Sequence, residues 1–140
     1  MGWFVLALLS AVFASLTAIF GKVGLAKVDA NFATILRSII MAGFLVLVGL
    51  STGKFAPAFW QSLDKKAMLF IVLSGVAGAV SWLFYFLALK VGLASKVAPI
   101  DRLSVVFVLI FAAVFLGEKL SLTSLAGVML IAAGAVLLAL

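Results

Sequence analysis

Apolar residues fill five long stretches of this chain, 3–20, 32–50, 67–89, 97–116 and 120–140, and polar residues gather in the joints between them. A helix needs about 20 apolar residues to cross the ~30 Å hydrocarbon layer of a bilayer, so each stretch is long enough to span it. The pattern predicts an all-α membrane protein with five transmembrane helices, at 3–21, 31–50, 67–89, 97–116 and 120–140. Residues 1–140 then form a single transmembrane domain with little left for a soluble part. The first stretch is read as a retained helix rather than a signal peptide: no Lys or Arg precedes it, it exceeds a usual apolar core, and four more spans follow.

The joints carry their own signals. Asp29 or Asn31 suits the N-cap of the second helix and Ser121 that of the fifth. Between the second and third helices, Phe55, Phe59, Trp60 and Leu63 recur at i, i+4, i+5 and i+8, which predicts an interfacial segment over 55–64 with its aromatics at the headgroup level. Pro99 removes a backbone donor and obstructs the preceding turn, so a kink or a late helix start is expected near 95–99. Gly117 ends the fourth helix before the tight Glu118-Lys119 joint, where Glu118 suits the N-terminus of the fifth.

Several spans have a distinctive face. Ser10, Ala14, Thr17 and Gly21 make a stripe of small, weakly polar groups along the first helix, fit either for close helix packing or for lining a substrate path. On the third, Ser74, Gly78, Ser81 and Tyr85 share a face with Gly75, Trp82 and Phe86 beside it. Trp82 and Tyr85 there suit an aromatic wall for a flat or cationic ligand, or plain core and lipid contact. Gly75 and Gly78, with Gly127 and Gly134 on the fifth helix, mark seams for packing or dimerisation.

Composition narrows the chemistry. At 68% hydrophobic and a mean hydropathy of +1.48, lipid rather than water must be the solvent. The net charge of +6 comes from lysines at the joints, positions suited to headgroups and topology signals, and no basic surface with interleaved aromatics points to nucleic acid. The chain has no Cys and no His, so disulfides, thiolate nucleophiles and nearly all transition-metal sites are excluded, and no cofactor is implied. An enzyme is disfavoured for the same reason, since clustered carboxylates are also missing.

Charge also bears on orientation. With five spans, Lys54, Lys65, Lys66 and Lys119 fall on the side of the N-terminus, and Lys22, Lys27, Lys90 and Lys96 on the other. The positive-inside rule is nearly silent on such a balance, and Arg37 and Arg102 tilt it only slightly toward a cytoplasmic second side. A chain with so little orientation signal is expected to insert both ways and to pair as an antiparallel homodimer, giving ten helices in an inverted-repeat plan. One fixed orientation or a parallel assembly is the alternative.

The chain resembles one of the EamA-type domains of the drug/metabolite transporter superfamily, in particular its half-size bacterial and archaeal members. The resemblance covers essentially the whole chain. It rests on Lys22, on Arg37 in the Ala33-Thr34-Ile35-Leu36-Arg37 run, on Ala88-Leu89, on Pro99, and on Phe115-Leu116-Gly117-Glu118-Lys119-Leu120-Ser121 followed by Gly127 and Gly134. It implies a multi-pass protein of a prokaryotic inner or plasma membrane that moves small amino-acid-like or drug-like solutes without ATP. The Asp101-Arg102 pair has no place in that general pattern, and the early intramembrane Glu of small multidrug resistance proteins is missing.

Hydropathy places Arg37 inside the second span and Asp101, the only acid in any span, inside the fourth beside Arg102. At 1.5 Å per residue Arg37 and Asp101 both lie about 8–10 Å below the same interface, which permits an ion pair. The expected site is therefore a switchable Arg37–Asp101 gate with Arg102 nearby, in which a solute carboxylate competes for Arg37. Trp82, Tyr85, Ser81, Ser10 and Thr17 are further candidates for binding. The competing reading has Arg37 snorkelling to headgroups and Asp101 capping a helix. Secondary transport by alternating access leads; a non-transporting or heteropairing subunit and a lipid-carrier flippase are the alternatives.

Overall fold

The computed structural model describes residues 2–56 and 63–140, and all the secondary structure in them is helical. Among the described residues six helices follow one another: α1 (Trp3–Gly24), α2 (Ala30–Ser51), α3 (Lys65–Val91), α4 (Ala94–Asp101), α5 (Ser104–Phe115) and α6 (Leu122–Ala139). Taken together, α4 and α5 occupy one span, so five segments are long and apolar enough to cross a membrane. This is a multi-pass membrane protein.

Local sequence explains where the helices begin and end. Asp29 caps α2, its carboxylate accepting the Phe32 N–H at 2.9 Å, and Ser121 caps α6, its hydroxyl oxygen accepting the Ser124 N–H at 3.0 Å. Asp64 does the same for α3 through the Ala67 N–H. At the end of α2, Gly53 adopts φ +67°, a left-handed conformation that glycine enters without a side-chain clash. The Gly53 and Lys54 N–H groups then bond back to the Leu50 and Gly49 carbonyls, satisfying the last turn in a Schellman arrangement. Gly117, also at φ +67°, follows the end of α5, and the Glu118 N–H returns to the Ala112 carbonyl. Phe59 and Trp60 of the expected interfacial segment lie outside the described residues.

The fourth span departs from expectation. Its helix starts earlier, at Ala94, runs through Pro99 and breaks after it, at Arg102 and Leu103. There the bonding tightens to three-residue steps, from the Arg102 N–H to the Pro99 carbonyl and from the Leu103 N–H to the Ile100 carbonyl. The proline's disturbance appears one turn downstream of its ring rather than upstream.

The chain divides into two compact units, 1–23 with 91–140, and 24–90. In the first, α6 packs against α4 and α5, with Val128 and Ala135 of α6 buried. In the second, which holds α2 and most of α3, Leu25, Ala30, Thr34, Phe86 and Leu89 are buried. Nearly every other large apolar side chain is exposed, an arrangement that water would not tolerate and that lipid solvates.

Lysines close the joints inside each unit. Lys22 Nζ donates to the Gly92 carbonyl at 2.7 Å and Lys96 Nζ to the Leu140 carbonyl at 2.9 Å in the first. In the second, Lys90 Nζ donates to the Leu25 and Val28 carbonyls at 2.5 and 2.9 Å. The Gly92, Leu25 and Leu140 carbonyls follow the C-terminal ends of α3, α1 and α6, where no intrahelical donor remains and a cation is favoured, and the Val28 carbonyl lies in the joint before α2. The sequence reading gave these lysines to headgroups and orientation; the structure gives them backbone carbonyls as well.

Candidate functional site

Arg37 stands on the third turn of α2, seven residues from its start, about 10 Å into the span by helix rise. A charge at such depth has to be compensated within the protein. The compensation comes from α3: the guanidinium carbon lies 3.7 Å from the centroid of the Trp82 ring and 5.6 Å from that of Phe86. A cation over an aromatic face is drawn to the ring's negative quadrupole, most strongly for tryptophan and where water is scarce.

The aromatic platform is itself braced. Tyr85 meets Trp82 edge to face at 5.5 Å and 87°, and Phe86 meets it at 5.9 Å and 65°. Phe86 is only 3% exposed, so the platform's inner wall is fixed by packing. Against this braced surface the guanidinium keeps one nitrogen idle: Nη1 is buried and has no hydrogen-bond partner among the described residues. A π face offsets charge but does not accept in-plane N–H bonds, so the ring leaves that donor's bonding capacity unused.

A cleft of about 370 Å³ also lies between α2 and α3, lined by Thr34, Ile35, Ser38, Ile39, Ala42, Ala79 and Leu83. Its two hydroxyls are already spent on their own helix, Thr34 on the Ala30 carbonyl and Ser38 on the Thr34 carbonyl, both at 2.8 Å. Its wall is therefore apolar in effect, and Arg37 is not among its lining residues.

Of the residues singled out from sequence, the structure brings Arg37, Trp82 and Tyr85 together and adds Phe86. Ser81 is exposed on α3. Ser10 is exposed on α1, and the Thr17 hydroxyl donates to the Phe13 carbonyl at 2.9 Å. Asp101 ends α4 and Arg102 sits in the break before α5, both in the other compact unit. A Cβ added at Gly75, Gly78, Gly127 or Gly134 would meet no atom within 4 Å, so these glycines draw no neighbouring backbone close within the described residues. Among the described residues no three His, Cys, Asp or Glu side chains gather into a possible metal site.

The family model for EamA-like transporters matches residues 1–140. The chain belongs to the EamA-like transporter family. This EamA-like chain is 48% identical to the "uncharacterized transporter in cobO 3'region" of a Sinorhizobium species, a match covering 98% of this chain and 96% of that protein. It is 33% identical to the uncharacterized transporter YvbV of Bacillus subtilis over 90% of its own length but only 41% of that longer protein. No solved structure matches.

The Arg37–Trp82 contact escaped the sequence reading although its signal was present. Trp82 lies nine residues before the end of α3 and Arg37 seven after the start of α2, so the two sit at similar depth on helices that follow each other. Consecutive antiparallel helices are usually neighbours, which makes Trp82 a natural partner for Arg37.

Proposed function

We propose that this chain is a secondary transporter of a small organic metabolite, amino-acid-like or drug-like, acting by alternating access as an antiparallel, dual-topology homodimer in a prokaryotic cell membrane. The observation that carries the reading is Arg37: a charged fork held inside a span on an aromatic platform, with a buried donor left over. Ionisable residues at such depth are costly, and membrane proteins keep them where a substrate or ion passes. Membership of a transporter family supports the same direction.

Pairing is supported by two independent facts. Four joint lysines on each side leave orientation almost undetermined, and the chain matches 41% of the length of YvbV, so two copies approximate that protein. Copies inserted in opposite senses would reproduce the inverted repeats on which many transporters are built. Asp101, an acid within a span, is the second charged residue of the proposed path.

Counterflow of a panel of radiolabelled amino acids in proteoliposomes tests transport. Arg37→Ala or Asp101→Ala is expected to abolish flux with the fold retained, and unchanged flux in both variants overturns this assignment of the path. Orientation is tested separately in this thiol-free chain with Ser51→Cys and Ser95→Cys, which stand at opposite ends of their spans. Each is expected to react with an impermeant maleimide from both faces of the membrane; labelling of each from one face only refutes dual insertion.

A further inference from the structure

The transport reading leaves the chemical class of the solute open, and the geometry around Arg37 bears on it. We propose that the guanidinium of Arg37, backed by Trp82, is the docking point for an oxyanion, and that this oxyanion is the carboxylate of the transported solute. The inference rests on the transport reading for the word "transported" but not for the site itself.

Three features lead to it. The first is the idle donor: Nη1 is buried without a partner among the described residues, and a buried charged donor left unbonded is expensive in a low-dielectric medium. An incoming acceptor removes that cost, and an anionic one also neutralises the charge. The second is shape. The guanidinium carbon lies 3.7 Å over the Trp82 ring, so the ring covers one side of a planar, five-donor fork of the kind that a carboxylate engages through two parallel bonds. Tyr85 and Phe86 hold Trp82 edge-on, so the fork is oriented before the ligand arrives.

The third is competition between sites. The neighbouring cleft has its Thr34 and Ser38 hydroxyl protons committed to helix carbonyls, so a carboxylate finds no ready donor there. Phosphate carries the same oxyanion chemistry, whether as a lipid headgroup or as the free ion. Depth separates the sources: Arg37 lies about two turns inside its helix, below the level at which headgroup phosphates rest. A small anion entering from solution fits that position better than a lipid anchored at the interface.

Tryptophan fluorescence reads the site directly, because the chain has three tryptophans and Trp3→Phe with Trp60→Phe leaves Trp82 as the sole reporter. In a neutral detergent, sodium benzoate is titrated against benzamide, its uncharged isostere, with inorganic phosphate as a third probe. Benzoate is expected to change Trp82 emission saturably, with half-saturation at least about tenfold lower than benzamide. Arg37→Gln is expected to erase that preference and Arg37→Lys to weaken it, since an ammonium lacks the planar fork.

Equal responses to benzoate and benzamide overturn the proposal, and this comparison needs no change at Arg37, so a variant that fails to fold does not shelter it. A response to phosphatidylglycerol over phosphatidylcholine vesicles with none to benzoate assigns the site to a headgroup and overturns the solute carboxylate; a response to inorganic phosphate alone does so in favour of the free ion. The transport reading is judged apart from this. Benzoate binding without counterflow of any solute refutes transport and keeps the anion site, whereas counterflow confined to uncharged solutes, without a benzoate response, refutes the anion site and keeps transport.

Discussion

Replacing Trp82 by leucine keeps an apolar side chain on α3 but removes the π face under Arg37. The guanidinium carbon lies 3.7 Å from the Trp82 centroid, well within the ~6 Å over which such attraction operates, while Phe86 at 5.6 Å is at its limit. A desolvated cation–π contact of this kind contributes about 2 kcal/mol, roughly thirty-fold in an equilibrium constant. The quantity to measure is the coupling in a double-mutant cycle of Trp82→Leu with Arg37→Gln, because each single change also alters packing. The assay is unfolding by sodium dodecyl sulfate in mixed micelles, followed by far-ultraviolet circular dichroism. Arg37→Gln should cost about 2 kcal/mol less in the Trp82→Leu background than in the parent, because the arginine there has already lost its platform. The parallel cycle of Phe86→Leu with Arg37→Gln should give less than about 1 kcal/mol. Additivity of the Trp82 cycle within about 0.5 kcal/mol, or a larger coupling to Phe86, refutes the account of how the charge is held.

Further expectations follow from the joints and glycines. Lys90→Met, which leaves the Leu25 and Val28 carbonyls without their ammonium donor, should cost about 1–3 kcal/mol in the same assay, and Lys90→Arg much less. Ser121→Ala should cost about 1 kcal/mol through loss of the α6 cap, read as an earlier unfolding midpoint. A Cβ at Gly49 would meet the ring of Phe55, an exposed side chain with room to swing aside, so Gly49→Ala should cost less than about 1 kcal/mol, and nothing when Phe55→Ala accompanies it. Gly127→Ala with Gly134→Ala meets open space and should leave the helix content of the monomer intact; a fall in chemical cross-linking of dimers would place a second copy on that face.

The spans were legible because lipid imposes one demand, a long apolar run, that the hydropathy of 3–20 or 120–140 meets without help from any other part of the chain. The caps at Asp29 and Ser121 were legible for a similar reason, since a cap acts on the two or three residues that follow it. The break at Arg102 was misplaced because proline's effect depends on which neighbouring carbonyls and amides find other partners, here three-residue bonds beyond the ring. The Trp82 contact of Arg37 was only partly legible: helix order puts the two at one depth, but which ring faces the charge depends on how the two helices are rotated against each other. The lysine contacts with Gly92, Leu25, Val28 and Leu140 reach across 44 to 70 residues, a separation that no local pattern encodes.

The lysine contacts also sort the positive charges by how readily they can drift over generations. Lys22, Lys90 and Lys96 are tied to backbone oxygens, so losing any of them carries a folding penalty whatever its effect on orientation. Lys27, Lys65, Lys66 and Lys119 hold no such tie among the described residues. A gene duplicate of this chain settling into one fixed orientation should therefore gain or lose charge at those four positions first, and leave the tethered three where they are.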